Sequence, residues 1–152
     1  MKKLNLLIVL STVAILALFS SCESSKPVTF AQLPAKSQTF LTTHFGNDVA
    51  NNITMIVKET DDLTVTWNVY GNGWTADFKR KGDWDDVDCM MSPVPNTVLA
   101  LIPQTIINYC NTMFPNTFIN EVNKEFFGYE IGLSNGLDIE FKNSGAIREI
   151  DD

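Results

Sequence analysis

Leu137, Ile139 and Phe141 alternate with Asp138, Glu140 and Lys142. A period of two marks a strand with one covered face and one wet face. Strand-like runs bounded by turn residues occupy 53–59, 63–70, 74–80 and 84–89, then 117–125, 127–133, 137–142 and 146–151. Asp61-Asp62, Asn72-Gly73 and Lys81-Gly82-Asp83 punctuate the first set. The final run is less regular, because Ile147 and Ile150 are both apolar and strict alternation fails.

Two hairpins can be paired from the pattern. A two-residue Asn72-Gly73 turn, with both residues at positive φ, sets Trp67 opposite Phe78, Val69 opposite Ala76 and Tyr70 opposite Thr75. In the later hairpin a two-residue turn would face Leu133 against Asp138. A three-residue Ser134-Asn135-Gly136 loop instead keeps Ile131 opposite Ile139 and Tyr129 opposite Phe141.

Helical spacing appears twice. Leu33, Phe40, Leu41 and Phe45 share one face, with Pro34 suited to a first turn and Gly46 as the stop. A second stretch runs from Asn96 to Phe114, where Pro103 predicts two short helices in place of one.

The halves resemble each other. Gly73, Phe78, Gly82 and Asp88 recur 63 positions later (136 − 73) as Gly136, Phe141, Gly145 and Asp151. Pro34, Phe40 and Phe45 recur 69 positions later (103 − 34) as Pro103, Tyr109 and Phe114. The expectation is an α+β fold of two tandem repeats, 30–91 and 92–152, each a helix followed by a four-stranded antiparallel meander. The helices pack on one face of the sheet. About 60 residues bury too little surface to be comfortable alone, so one core shared by both is expected.

The N-terminus changes the picture. Lys2 and Lys3 precede an apolar run to Leu18, shorter than the roughly 20 residues that span a bilayer, and Ser20-Ser21-Cys22 follows. This resembles a bacterial lipobox, which implies a signal peptide over 1–21 and lipid on Cys22. Phe19 departs from the usual aliphatic residue. Residues 22–29 read as a tether.

Without the leader's two lysines, 9 basic residues face 18 acidic ones, a net charge of −9 (9 − 18). Such a chain has no basic patch to displace counterions, which argues against nucleic acid as a partner. Outside the cytoplasm Cys89 and Cys110 could form a disulfide; the other reading is two buried free thiols.

Trp84-Asp85-Asp86-Val87-Asp88-Cys89, Val94-Pro95 and Phe114-Pro115-Asn116 resemble secreted proteins of the PepSY-like, or β-lactamase-inhibitor-like, family. Gly128-Tyr129-Glu130-Ile131, Asn135-Gly136 and Glu140-Phe141-Lys142 with Gly145 carry the same likeness. It covers residues 30–152. It implies PepSY-like repeats in the envelope of a Gram-negative bacterium, facing the periplasm or the cell surface, with no established activity. No stretch matches the inhibitory loops of the namesake proteins, so inhibition of a β-lactamase does not carry over.

Candidate chemistry is sparse. His44 has no obvious partners and reads as helix-end packing, its charge favoured by the helix dipole. Asp83, Asp85, Asp86 and Asp88 fail an EF-hand pattern, since Val87 and Asp88 stand where an acid and a glycine are needed. They read as solvated strand acids, with Asp86 and Asp88 on one face and Asp85 on the other. Glu121, Glu125 and Glu130 lie on strands without an evident second shell. No P-loop, GxGxxG, HExxH, CxxC or GxSxG occurs.

Trp67, Trp74 and Tyr129 read as core. Tyr70 falls on the opposite face with Asp77 and Lys79, a composition typical of binding hot spots. The expectation is a non-enzymatic envelope lipoprotein that binds a protein or peptide through Tyr70, Asp77 and Lys79, without cofactor or metal. The alternative is a small-ligand binder or sensor; an uncharacterised envelope enzyme is a third reading.

Overall fold

The computed structural model describes residues 24–151; the leader and Cys22 lie outside the described residues. Nine strands form one antiparallel sheet in chain order: β1 (Ser24–Pro27), β2 (Ile53–Thr60), β3 (Val65–Gly71), β4 (Thr75–Lys79), β5 (Trp84–Asp88), β6 (Ile119–Glu125), β7 (Gly128–Leu133), β8 (Asp138–Lys142) and β9 (Ile147–Asp151). The helices are short: α1 (Ala35–Phe45), α2 (Val49–Asn52), α3 (Asn96–Leu99) and α4 (Gln104–Met113).

This corrects the expected fold class. The molecule is mostly sheet, a single nine-stranded antiparallel layer with a few short helices, and not an α+β arrangement of helix-plus-four-strand repeats. Two physical reasons account for the difference. Gly46, Pro95 and Pro103 hold the helical segments to a few turns. The sheet also does not stop between the halves, because β5 pairs with β6 through Asp86–Asn123, Val87–Val122 and Asp88–Glu121. The expected tether contributes a strand as well: Ser24–Pro27 pairs with β2, and Val28 N–H donates to Ile56 O at 3.0 Å.

Local expectations fare better. Pro34 and Gly46 bracket α1, and Pro103 separates α3 from α4. The first hairpin has the expected pairs Trp67–Phe78, Val69–Ala76 and Tyr70–Thr75. Its turn differs. Gly73 has φ +82, but among the described residues Met90 is the sole non-glycine at positive φ, so Asn72 stays on the ordinary side. Gly71 N–H donates to Trp74 O at 2.8 Å, and Trp74 stacks on Phe45 with centroids 4.2 Å apart. The later hairpin uses the three-residue loop, closed by Leu133 N–H to Leu137 O at 2.9 Å.

One face of the sheet carries the core. Val69, Ala76, Phe78, Val87, Val122, Ile131, Ile139 and Phe141 are fully buried there. They form one cluster with Leu41 of α1, Val98 of α3, and Ile106 and Cys110 of α4. Phe78 and Phe141 each stabilise the fold by about 1.5–3 kcal/mol through removal of apolar surface from water. Trp67, Trp74, Trp84 and Tyr129 pack against the rim. Cys89 and Cys110 are both free and buried, and burial pushes each thiol up to about 11. Of the two readings left open by the sequence, the structure has the two buried free thiols.

The β4–β5 turn touches α1 closely. A Cβ on Gly82 (φ +86) would meet Pro34 Cβ at 2.7 Å and Ser37 Oγ at 2.9 Å, whereas a Cβ on Gly73 would meet nothing. Gly73→Ala should therefore cost about 1 kcal/mol, the left-handed penalty alone. Gly82→Ala should cost clearly more, about 2–4 kcal/mol, since helix and turn must also separate. Chemical denaturation of both variants checks this, and equal losses would show that the contact with α1 contributes nothing.

Candidate functional site

Core residues on one face leave their neighbours on the other, and here those neighbours are acids. Following the register across the sheet, Asn68, Asp77, Asp86, Asn123, Glu130, Glu140 and Glu149 stand in one row. Beside it run Tyr70, Thr75, Asp88, Glu121, Gly132, Asp138 and Asp151. Directly opposed side chains in adjacent strands approach to about 5 Å, where like charges destabilise a sheet. Asp77–Asp86, Asp88–Glu121, Glu130–Glu140 and Asp138–Asp151 are all such pairs.

The rows deepen into a cavity of about 370 Å³ over β2–β6, lined by Glu59, Asn68, Asp77, Asp85, Asp86 and Glu121 among others. A bulge shapes it. Asp77 faces Asp86 while Phe78 faces Trp84, so Asp85 is the extra residue of β5. This overturns the expectation that Asp85 points away from Asp86: both line the cavity. Nor are these acids simply solvated. Asp86 Oδ1 is buried without a hydrogen-bond partner.

The electrostatics follow from that geometry. Burial, then Glu121, Asp77 and Asp88, pushes Asp86 up to about 8. Burial, then Asp85 and Glu59, brings Asp77 to about 6. Burial followed by acidic neighbours also raises Glu121 and Glu130. Lys79 Nζ lies 2.7 Å from Asp85 Oδ1. That oxygen nevertheless lacks a well-aligned hydrogen bond, so the contact is best described as an ion pair. Lys124 lies 3.5 Å from the Trp84 ring centre and donates to Trp84 O at 3.2 Å. Among the described residues the ion pairs are Lys36–Asp83, Lys79–Asp85 and Arg148–Glu140, which leaves most of both rows unneutralised.

Of the residues expected to bind, Asp77 lies at the cavity, Lys79 flanks it beside Asp85, and Tyr70 stands half-buried in the second row. Glu59, Asp86, Glu121, Asn123 and Glu130 join the site although no local motif marks them. Their signal is a polar residue beside a core one, as in Asp86-Val87, Val122-Asn123 and Glu130-Ile131. His44 packs on Phe40 with centroids 4.4 Å apart, and burial lowers its pKa, so its charge is disfavoured. No group of three or more metal-ligating side chains suited to a metal ion occurs among the described residues. No helix among them is long and apolar enough to cross a membrane.

Residues 66–149 match the family described as "Putative beta-lactamase-inhibitor-like, PepSY-like", and the chain belongs to that family. Solved structures share its fold, these three among them. One, titled "a putative periplasmic protein from DUF2874 family" from Bacteroides vulgatus, is 32% identical with TM-score 0.75, covering 85% of this chain and 98% of that one. A "putative calcium-regulated periplasmic protein" from Bacteroides thetaiotaomicron is 29% identical with TM-score 0.75, covering 84% and 97%. A third, from Bacteroides vulgatus and titled "a putative periplasmic protein of unknown function", is 25% identical with TM-score 0.73, covering 86% and 99%. Among curated proteins none matches. The periplasmic description of these relatives agrees with the envelope location expected from the leader.

Because Asp77 and Asp86 titrate higher in the native state than the ordinary 3.9 or so of an unfolded aspartate, the folded protein holds more protons than the unfolded one. Their contribution to stability is greatest at low pH and falls as pH rises through about 6 and about 8. Asp86→Asn should raise Tm at pH 8.5 by a few degrees, about 1 kcal/mol or more, and flatten the decline between pH 5 and 9. An unchanged slope of Tm against pH in the variant would refute the assignment.

Proposed function

We propose that this protein is a non-enzymatic periplasmic binding module, lipid-anchored through Cys22, whose acidic sheet face takes a cationic segment of another envelope protein. The observation that carries this reading is the directly opposed Asp77–Asp86 pair, unneutralised and with one buried oxygen unpartnered. Such a surface is unfavourable when empty and gains when a cation arrives between its rows. Tyr70 adds an aromatic anchor in the neighbouring row, and Lys79 limits the acidic strip at its flank. The relatives' descriptions support the compartment. The lack of catalytic motifs in the sequence supports a binding role over turnover.

A labelled lysine decapeptide tests the face. Wild type should bind it with an affinity that falls as salt rises, and Asp77→Asn/Asp86→Asn should weaken it at least tenfold. Proton release should accompany binding at pH 7, because a bound cation favours the ionised carboxylates; titration calorimetry in buffers of different ionisation enthalpy reads this. Equal binding by the double variant, or stabilisation by millimolar calcium but not by the peptide, would sink the reading.

The anchor is tested separately. In a Gram-negative host the wild-type protein should fractionate with membranes and Cys22→Ala should be released, since the described domain offers no membrane-spanning helix. Equal membrane association of both forms would refute lipidation at Cys22.

A further inference from the structure

The two ends of the sheet are treated differently. β1 is four residues long, carries Lys26, and ends in Pro27. Val28 N–H donates inward to Ile56 O, so by alternation the amide that Pro27 lacks would have pointed outward. Short length, lysine and outward proline are the usual means of blocking an edge.

β9 has none of these. All five of its residues are exposed, Ile147 by 41% and Ile150 by 46%, and it contains neither proline nor lysine. Lys142 N–H donates to Ala146 O at 2.8 Å, so Lys142, Glu140 and Asp138 turn their amides toward β9. Glu149 and Asp151, opposite Glu140 and Asp138, answer them. By alternation the amide and carbonyl of Ile150 point outward, with no strand beside them among the described residues. The strand's one cation is held inward, since Arg148 pairs with Glu140 and lies 4.3 Å over the Phe127 ring.

We propose that the β9 edge is a second interaction surface, which takes an extended segment of another protein as a tenth strand. The chemistry of that segment follows from the two faces of β9. On the open face it meets Glu149 and Asp151, backed by Glu140 and Asp138, and needs lysine or arginine there. On the core face it meets Ile147 and Ile150, beside Phe141 and Ile139, and needs apolar side chains. The fitting partner therefore alternates cationic and apolar residues, with main-chain hydrogen bonds supplying affinity. A second copy of this chain fits poorly, because it would set the same acids against each other on a chain that is acidic overall. This surface stands apart from the open-face reading, since it depends on the edge backbone and not on the Asp77–Asp86 pair.

A lysine–valine alternating heptapeptide is the probe, with a glutamate–valine heptapeptide as its opposite. The lysine peptide should bind and slow hydrogen exchange at the Ile150 amide at least tenfold, while the glutamate peptide should do neither. Ile150→Pro removes the outward donor and should weaken binding at least tenfold. Should that variant lose stability, Glu149→Lys/Asp151→Lys retains the backbone and should reverse the preference to the glutamate peptide. Unchanged exchange at Ile150, a charge preference that does not reverse, or a peptide-blocking dimer formed through β9 would each overturn the proposal.

Discussion

One seam makes nine strands a single object. β5 meets β6 through three residue pairs, and only the central one, Val87–Val122, faces the core. The flanking pairs, Asp86–Asn123 and Asp88–Glu121, place polar and acidic groups on the open side. The contact that joins the halves of the molecule is thus also where the acidic rows become continuous. Because successive side chains alternate, apolar continuity beneath and acidic continuity above are two consequences of one register.

The open face is tolerable because the other face is so well filled. Direct opposition of carboxylates weakens each strand pair by some tenths of a kcal/mol, and burial of Asp86 adds a larger penalty. Against this stand Phe78, Phe141 and a continuous aliphatic layer, all fully removed from water. Partial protonation relieves the repulsion further, since burial first and the neighbouring acids second raise Asp77 and Asp86 above ordinary aspartates.

Strand runs and hairpin registers were legible because they rest on local information. Trp67, Val69, Ala76 and Phe78 define a common face, and the extra residue before Leu137 forces a longer loop. Fold class was misjudged for a non-local reason: nothing within 84–125 says that β5 and β6 will pair, and residues 24–27 look like linker until β2 lies alongside them. The site was partly legible. Tyr70, Asp77 and Lys79 could be placed on one face from a single hairpin, but Asp86 joins them only through the β4–β5 pairing, and Glu121 and Glu130 only across the seam. The bulge at Asp85 defeats strict alternation and had no glycine to announce it.

The two buried thiols have a consequence for how the protein resists oxidation. In an oxidising compartment such as the one its relatives are assigned to, an exposed thiolate would soon be captured by an oxidant. Cys89 and Cys110, packed in the core and held near pH 11, offer almost no thiolate once folded. Their reduced state is therefore guarded by the fold. Any disulfide exchange at either sulfur would first require β5 or α4 to open, so the fold itself and not the local reduction potential limits their oxidation.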